Sequence, residues 1–195
     1  MPPKPKYSAE ALIKVSREII EEKGLEGLSA REISGRLGST TAPIFTYFGS
    51  MDELVKAVYN SICEDCKEYL LNSLDSSTSL VKFCLRWIRY ARDNPRFYEL
   101  IFLLRGQTEE LSIITRKKFK EMLTPIIAIV AHDYDIELHE AESVVDKMII
   151  FMMGICVNVV NNVHQYKDEE IENIISECST TIINGIYYSK NNTSI

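Results

Sequence analysis

The chain has 195 residues, 46% of them apolar and 26% charged, with 8 Gly, 6 Pro and 5 Cys, which excludes collagenous, disordered and disulfide-stapled classes. At this length folding hides roughly 70% of the unfolded surface, enough for one sizeable core or two small ones. The net charge of −6 is uneven, with 7 Lys and Arg against 6 Asp and Glu in residues 1–50 and 15 against 22 thereafter, so a nucleic-acid surface would have to be local.

The opening stretch Met1 to Ile20 carries charges every few positions and no uninterrupted apolar run of signal-peptide type, so a cytoplasmic protein is expected. Apolar residues recur at helical spacing almost throughout, and no segment alternates with period two between turn signals. The expected fold class is therefore all-α, with about nine helices. The first runs from about Ser8 to Lys23, with Ala11, Leu12, Val15, Ile19 and Ile20 on one face, and Gly24 stops it. Ser29 and Glu32 then have capping-box spacing, with Leu28 and Ile33 at the staple positions. They predict a short helix over 30–37 that Gly38 ends. A second short helix follows at 41–47. With Thr40 as its cap, Pro43 falls where a missing N–H costs no intrahelical bond.

Ser50 with Glu53 opens a long helix expected to reach Leu74. Beyond it, breaks at 75–79, Asn94-Pro95, Gly106, 132–139 and Lys167-Asp168 delimit helices at about 80–93, 95–104, 109–131, 139–165 and 168–188, and Pro125 is expected to kink the third of these. The longest apolar run, Met148 to Val157, is about half the length needed to cross a bilayer, so no membrane span is expected.

Two short helices joined by a glycine-bearing turn of about three residues form a helix-turn-helix pattern. A helix fits the major groove of DNA, and the first residues of the second helix can reach base edges. Thr40, Thr41 and Ala42 are small enough for close backbone approach. The hydroxyls exchange hydrogen bonds and the methyls can touch thymine, while Phe45 and Tyr47 flank the same turn. Ile33, Leu37, Ile44, Phe48 and Leu54 are expected in the core; Phe45 is open to either reading.

The residues Gly27-Leu28-Ser29, Ile33, Leu37-Gly38, Ile44-Phe45-Thr46-Tyr47-Phe48-Gly49-Ser50 and Glu53-Leu54 resemble the DNA-binding segment of the tetracycline-repressor (TetR) family of bacterial regulators. The resemblance spans about residues 8–57. It implies a DNA-binding domain over 1–50 and a divergent ligand-binding and dimerisation domain over 51–195. It also implies DNA contacts from Ser29, Arg31, Thr40, Thr41, Ala42, Pro43, Phe45, Thr46 and Tyr47. Two positions depart from the family pattern: Ser39 stands where an apolar residue is common, and Met51 where Lys is common. The second departure removes one phosphate contact and shifts salt-dependent affinity to Lys4, Lys6, Arg36 and Lys56.

In the C-terminal helices Tyr69, Phe83, Trp87, Tyr90, Phe102, Phe119, Met122 and Met152 concentrate large apolar side chains with few charges. Individually each reads as core. Together they could line a cavity for a small apolar or amphipathic effector, with Tyr90 or Asn158 orienting a polar group. The apolar stripes of the last two helices predict a homodimer through a four-helix bundle, which would place two reading helices one DNA turn apart on a pseudo-palindromic operator.

The rival readings are an enzyme, a thiol sensor and a helical dimer without DNA binding. No GxSxG elbow, phosphate-cradling loop or HExxH pair occurs, so no enzymatic activity, cofactor or metal is expected. Cys63-Glu64-Asp65-Cys66 is a lone CxxC within a helix, a weak redox or zinc signal.

Overall fold

A computed structural model describes residues 7–72, 79–103, 108–164 and 166–192, with side chains only to 188 at that end. Among these residues there are nine α-helices, one 3-10 turn and no strand. The elements are α1 (Ala9–Lys23), the 3-10 turn (Leu25–Gly27), α2 (Ala30–Leu37), α3 (Ala42–Phe48), α4 (Met51–Leu71), α5 (Leu80–Asp93), α6 (Pro95–Phe102), α7 (Glu109–Asp133), α8 (Leu138–Val160) and α9 (Asp168–Asn192).

The chain forms two compact units. One comprises Met1–Cys66 with Asn94–Lys118, the other Lys67–Asp93 with Phe119–Ile195. In the first, α1 packs against α2, α3 and α6, burying Leu12, Ile19 and Ile20 with Ile33 of α2 and Ile44 of α3. Each such side chain contributes roughly 1.5–3 kcal/mol on leaving water. Leu54, Val58, Tyr59 and Ile62 of α4 and Phe97, Tyr98, Leu100 and Ile101 of α6 are also buried. Ser16 is a buried hydroxyl inside α1, satisfied by donating to the Leu12 carbonyl at 2.7 Å.

In the second unit α5 packs on α8 and α9, and α8 on α9. α8 is long and apolar enough to cross a membrane by length and composition, with a mean hydropathy of 1.9. Part of its apolarity is used internally: Ala141, Val144, Val145, Met148, Met152 and Cys156 are buried. α7 runs unbroken through Pro125.

Helix starts follow their side chains. Ser8 Oγ accepts from Ala11 N–H (3.3 Å), Ser29 Oγ from Glu32 N–H (3.2 Å) and Ser50 Oγ from Glu53 N–H (3.1 Å). The boxes at Ser29 and Ser50 are only half made, because Glu32 accepts from Lys23 and Arg36, and Glu53 from Lys56. α3 begins at Ala42, with Thr41 rather than Thr40 in the capping place. Thr41 already has helical dihedrals and its side chain caps nothing, so Pro43 is the second helical residue.

Three helices end in one way. The N–H groups of the left-handed residue and its successor fold back onto carbonyls of the last turn. This happens at Gly38 for α2, Asp135 for α7 and Asn162 for α8. For α8 it explains why the helix stops at Val160 and not near Gln165: Asn162 N–H donates to Val159 C=O (3.1 Å) and Val163 N–H to Asn158 C=O (2.9 Å). Asn tolerates the left-handed well that most residues avoid.

Gly38 has φ 56° and ψ 42°, whereas Gly35 lies inside α2, and an added Cβ would meet nothing within 4 Å at either position. Backbone preference alone then separates them. In urea titrations Gly35→Ala is expected to stabilise the protein by about 0.5–1 kcal/mol and Gly38→Ala to destabilise it by about 1–2 kcal/mol.

Candidate nucleic-acid interface

The described residues expected to meet DNA all belong to the first unit. Ser29, Arg31, Thr40, Thr41, Ala42, Phe45, Thr46 and Tyr47 are exposed and Pro43 is half-buried; Lys6 lies outside the described residues. Phe45, open to two readings from sequence, is 47% exposed and Tyr47 42%. α3 turns Ile44 inward, with 1% of its surface left to water, and Phe48, one turn on, is half-buried. That register aims the opposite side outward. Of the other expected core positions, Ile33 and Leu54 are fully buried and Leu37 half-buried.

Thr46 spends its hydroxyl on the Ala42 carbonyl (2.9 Å), leaving its methyl outward. Ser39, Thr40 and Thr41 make no side-chain hydrogen bond among the described residues, so the Thr40 and Thr41 hydroxyls are available to a ligand.

Most cations nearby are occupied. Arg36 holds Glu22 through both terminal nitrogens (2.9 and 2.5 Å) and Glu32 through Nε (3.2 Å), and Lys23 reaches Glu32 at 2.7 Å. These contacts hold the Glu22 carboxyl, through Arg36, and the Glu32 carboxyl, through Lys23 and then Arg36, below the usual carboxylate range. Arg36 is raised in turn, chiefly by Glu22. Lys56 meets Glu110 (2.7 Å) and Glu53 (2.9 Å). Arg36 and Lys56 would therefore exchange a carboxylate for a phosphate on binding DNA. Arg31 is exposed and makes no ion pair among the described residues.

Sequence reading missed how α4 is held. In the first unit, besides Lys56 with Glu110, Tyr59 shares a hydrogen bond with Thr115, and Lys118 donates to Glu64. The near-constant separation of 54 to 56 positions marks α4 and α7 there as parallel neighbours. Arg17 of α1 donates to Ser61 (3.0 Å), pairs with Asp65 (2.5 Å) and lies 5.6 Å from the Phe97 ring centre. Only the charge pattern along 56–67 and 110–121 carried a hint of these pairs.

Of the expected effector residues, Phe83, Trp87, Tyr90, Met122 and Met152 are buried in the second unit, Phe119 and Asn158 are half-buried, and Tyr69 is 37% exposed. Tyr69 meets Tyr90 at 5.4 Å, and Trp87 meets Phe83 edge-on at 5.5 Å and Phe119 at 5.6 Å. Phe102 belongs to the first unit, half-buried beside Tyr98 at 4.9 Å. Three open hollows of about 370, 450 and 320 Å³ lie elsewhere, beside Leu100, Phe97 and Tyr166 respectively, and none of the effector set lines any of the three.

Cys63 and Cys66 are both 3% exposed. Burial pushes the Cys63 thiol up to about 12 against opposing pulls from Tyr59 and Lys118, and the Cys84 thiol likewise to about 12. Thiols so placed carry almost no thiolate, the reactive form. Among the described residues no group of three or more His, Cys, Asp or Glu is placed to hold a metal ion.

Two short helices joined by a glycine turn, the second with an exposed face, on an otherwise helical chain, define the class of helix-turn-helix proteins. Residues 12–58 match the family of bacterial regulatory proteins, tetR family, so the resemblance read from the motif is that of a TetR-type DNA-binding segment. The fold is shared with solved regulators. A transcriptional regulator from Rhodococcus sp. Rha1 superposes with TM-score 0.73 at 18% identity, over 92% of this chain and 97% of the other. A TetR-like transcriptional regulator from Rhodococcus sp. RHA1 does so with TM-score 0.69 at 12% identity, over 94% and 100%. A TetR family transcription regulator from Marinobacter aquaeolei VT8 gives TM-score 0.60 at 14% identity, over 88% and 93%. No curated protein matches the sequence.

The carboxylates around Arg36 give a direct handle on this surface. Because Glu22 and Glu32 titrate below the unfolded carboxylate range, whatever they add to stability is present above that range and lost as the pH falls through their folded values. In Arg36→Gln, NMR titration is expected to show both carboxyls moving upward, Glu22 further because Arg36 is its main partner.

Proposed function

We propose that the chain is a homodimeric, cytoplasmic transcriptional regulator that binds double-stranded operator DNA and is released by a small apolar or amphipathic molecule, and so acts as a repressor. The observation that carries the DNA-binding reading is α3. Its buried Ile44 leaves Thr41, Ala42, Phe45 and Tyr47 on an open surface, where a helix presents side chains to a major groove. Residues 1–50 would then be the reading domain and 51–195 the domain that binds effector and partner, with Tyr69, Phe83, Trp87, Tyr90, Phe119, Met122, Met152 and Asn158 of the second unit as the effector set. Since the aromatic members of the second unit already fill space against one another, an effector would bind by separating them. It would act only in proportion to its preference for the separated state. α4 is the natural carrier of that change, and its polar contacts to α7 would have to move with it or break.

Support for a dimer comes from the outer side of α8 and α9. α5 covers one side of these helices, yet Ile150 remains 74% exposed, Phe151 and Val157 38%, and Tyr188 73%. Ile150, Phe151, Gly154 and Val157 share one stripe at helical spacing, which a second copy would cover across a two-fold axis. Ile150→Glu, exposed within the subunit, should give a folded monomer in sedimentation experiments where the wild type sediments as a dimer.

DNA reading is tested on the duplex most enriched by the wild-type protein from a random-sequence library. Thr41→Glu and Tyr47→Ala should each weaken binding roughly tenfold or more, while the thermal midpoint moves by only a few degrees because both sites are exposed. Wild-type binding by both variants would exclude α3 as the reading helix.

A further inference from the structure

Three carbonyls at the end of α2, those of Ser34, Gly35 and Leu37, have defined partners outside the helix. A helix leaves its last carbonyls without intrahelical partners. In α2, Ser39 N–H donates to Ser34 C=O (3.0 Å) and Gly38 N–H to Gly35 C=O (3.3 Å), the two bonds of a Schellman end. The Leu37 carbonyl, at the peptide that leads into Gly38, accepts from the phenol hydroxyl of Tyr7. Tyr7 immediately precedes Ser8, the cap of α1, so a half-buried ring at the root of the first helix reaches thirty residues along the chain to the pivot of the turn.

The need for that contact follows from Gly38. Its left-handed conformation (φ 56°) is cheap because it has no Cβ. For the same reason nothing in the residue itself resists rotation of the 37–38 peptide. Beyond it, Ser39, Thr40 and Thr41 make no side-chain hydrogen bond among the described residues. Among the described residues, the hydrogen bonds that hold the turn lie at its two ends. At the exit Ile44 is buried and its N–H donates to Thr41 C=O (3.1 Å). At the entry the two Schellman bonds and the Tyr7 hydroxyl do the work.

We propose that Tyr7 is a positioning residue for DNA recognition: by holding the Leu37 carbonyl, its hydroxyl sets the angle at which the turn leaves α2, and so where Thr40 and Thr41 meet the groove. The proposal rests on the reading of α3 as the DNA-contacting helix. In this role Tyr7 acts through the Leu37 carbonyl and not by contact with the DNA. It supplies the orientational constraint that Gly38 lacks. Loss of one net hydrogen bond lowers the share of correctly oriented turns, and hence the apparent affinity, by about fivefold.

Tyr7→Phe keeps the ring and removes only the hydroxyl. Against the duplex selected by the wild-type protein, it should bind about fivefold more weakly, with the slope of log Kd against log salt unchanged, because no phosphate contact is lost. In the DNA-free protein, amide exchange at 38–41 should quicken while α8 keeps its protection. Ser8→Ala, which weakens the neighbouring cap of α1 without touching Leu37, should bind that duplex as the wild type does. Unchanged affinity in Tyr7→Phe, a shallower salt slope, or an equal loss in Ser8→Ala would overturn the assignment. A library from which the wild type enriches no duplex would instead remove the DNA-binding reading itself, and the role of Tyr7 with it.

Discussion

The burial of two isoleucines governs the functional end of this protein. Ile33 and Ile44 sit on either side of the turn and are withdrawn from water almost completely, and each draws its helix onto the same core as Leu12, Ile19 and Ile20 of α1. With both helices fixed in rotation, the side of α3 that carries Thr41, Ala42, Phe45 and Tyr47 has nowhere to point but outward. The exposure of two aromatic rings there follows from the placement of one aliphatic residue.

A chain with net charge −6 gains little from global attraction to nucleic acid, so the local arrangement of charge matters more. Around α1 and α2 that arrangement is self-neutralising: Glu22 and Glu32 share Arg36, and Lys23 joins them. These exposed pairs add little to stability. Their consequence is that Arg36 is already served, while Arg31, at the start of α2, makes no ion pair among the described residues. Such a surface suits a protein whose contacts are few and must be well placed.

Two elements illustrate where pattern and packing part ways. α8 is apolar enough on composition to suit a bilayer, yet one part of its apolar surface is buried in the unit where it packs on α5 and α9 while Ile150, Phe151 and Val157 stay exposed, a division periodicity could not foresee since it records that a face is apolar and not what covers it. Ile150 is the most exposed large apolar residue of that helix. The aromatic set around Trp87 shows the converse. Its members were legible as a group from composition, and the structure packs Phe83, Trp87 and Phe119 ring against ring.

Sequence alone determined the local grammar: which residues start helices, where glycine ends α2, that two short helices flank a tight turn, and that the motif is of TetR type. Those features depend on contacts within a few residues of one another, so they are written consecutively in the chain. Tertiary structure decided which side of α3 faces water, which carboxylates occupy Arg36 and Lys56, how α4 is tied to α7, and that Tyr7 closes the end of α2. Apart from the local pairs of Arg36 with Glu32 and Lys56 with Glu53, the contacts behind these span 14 to 56 positions, and a contact of that span is set by the packing of whole helices, which no local pattern specifies.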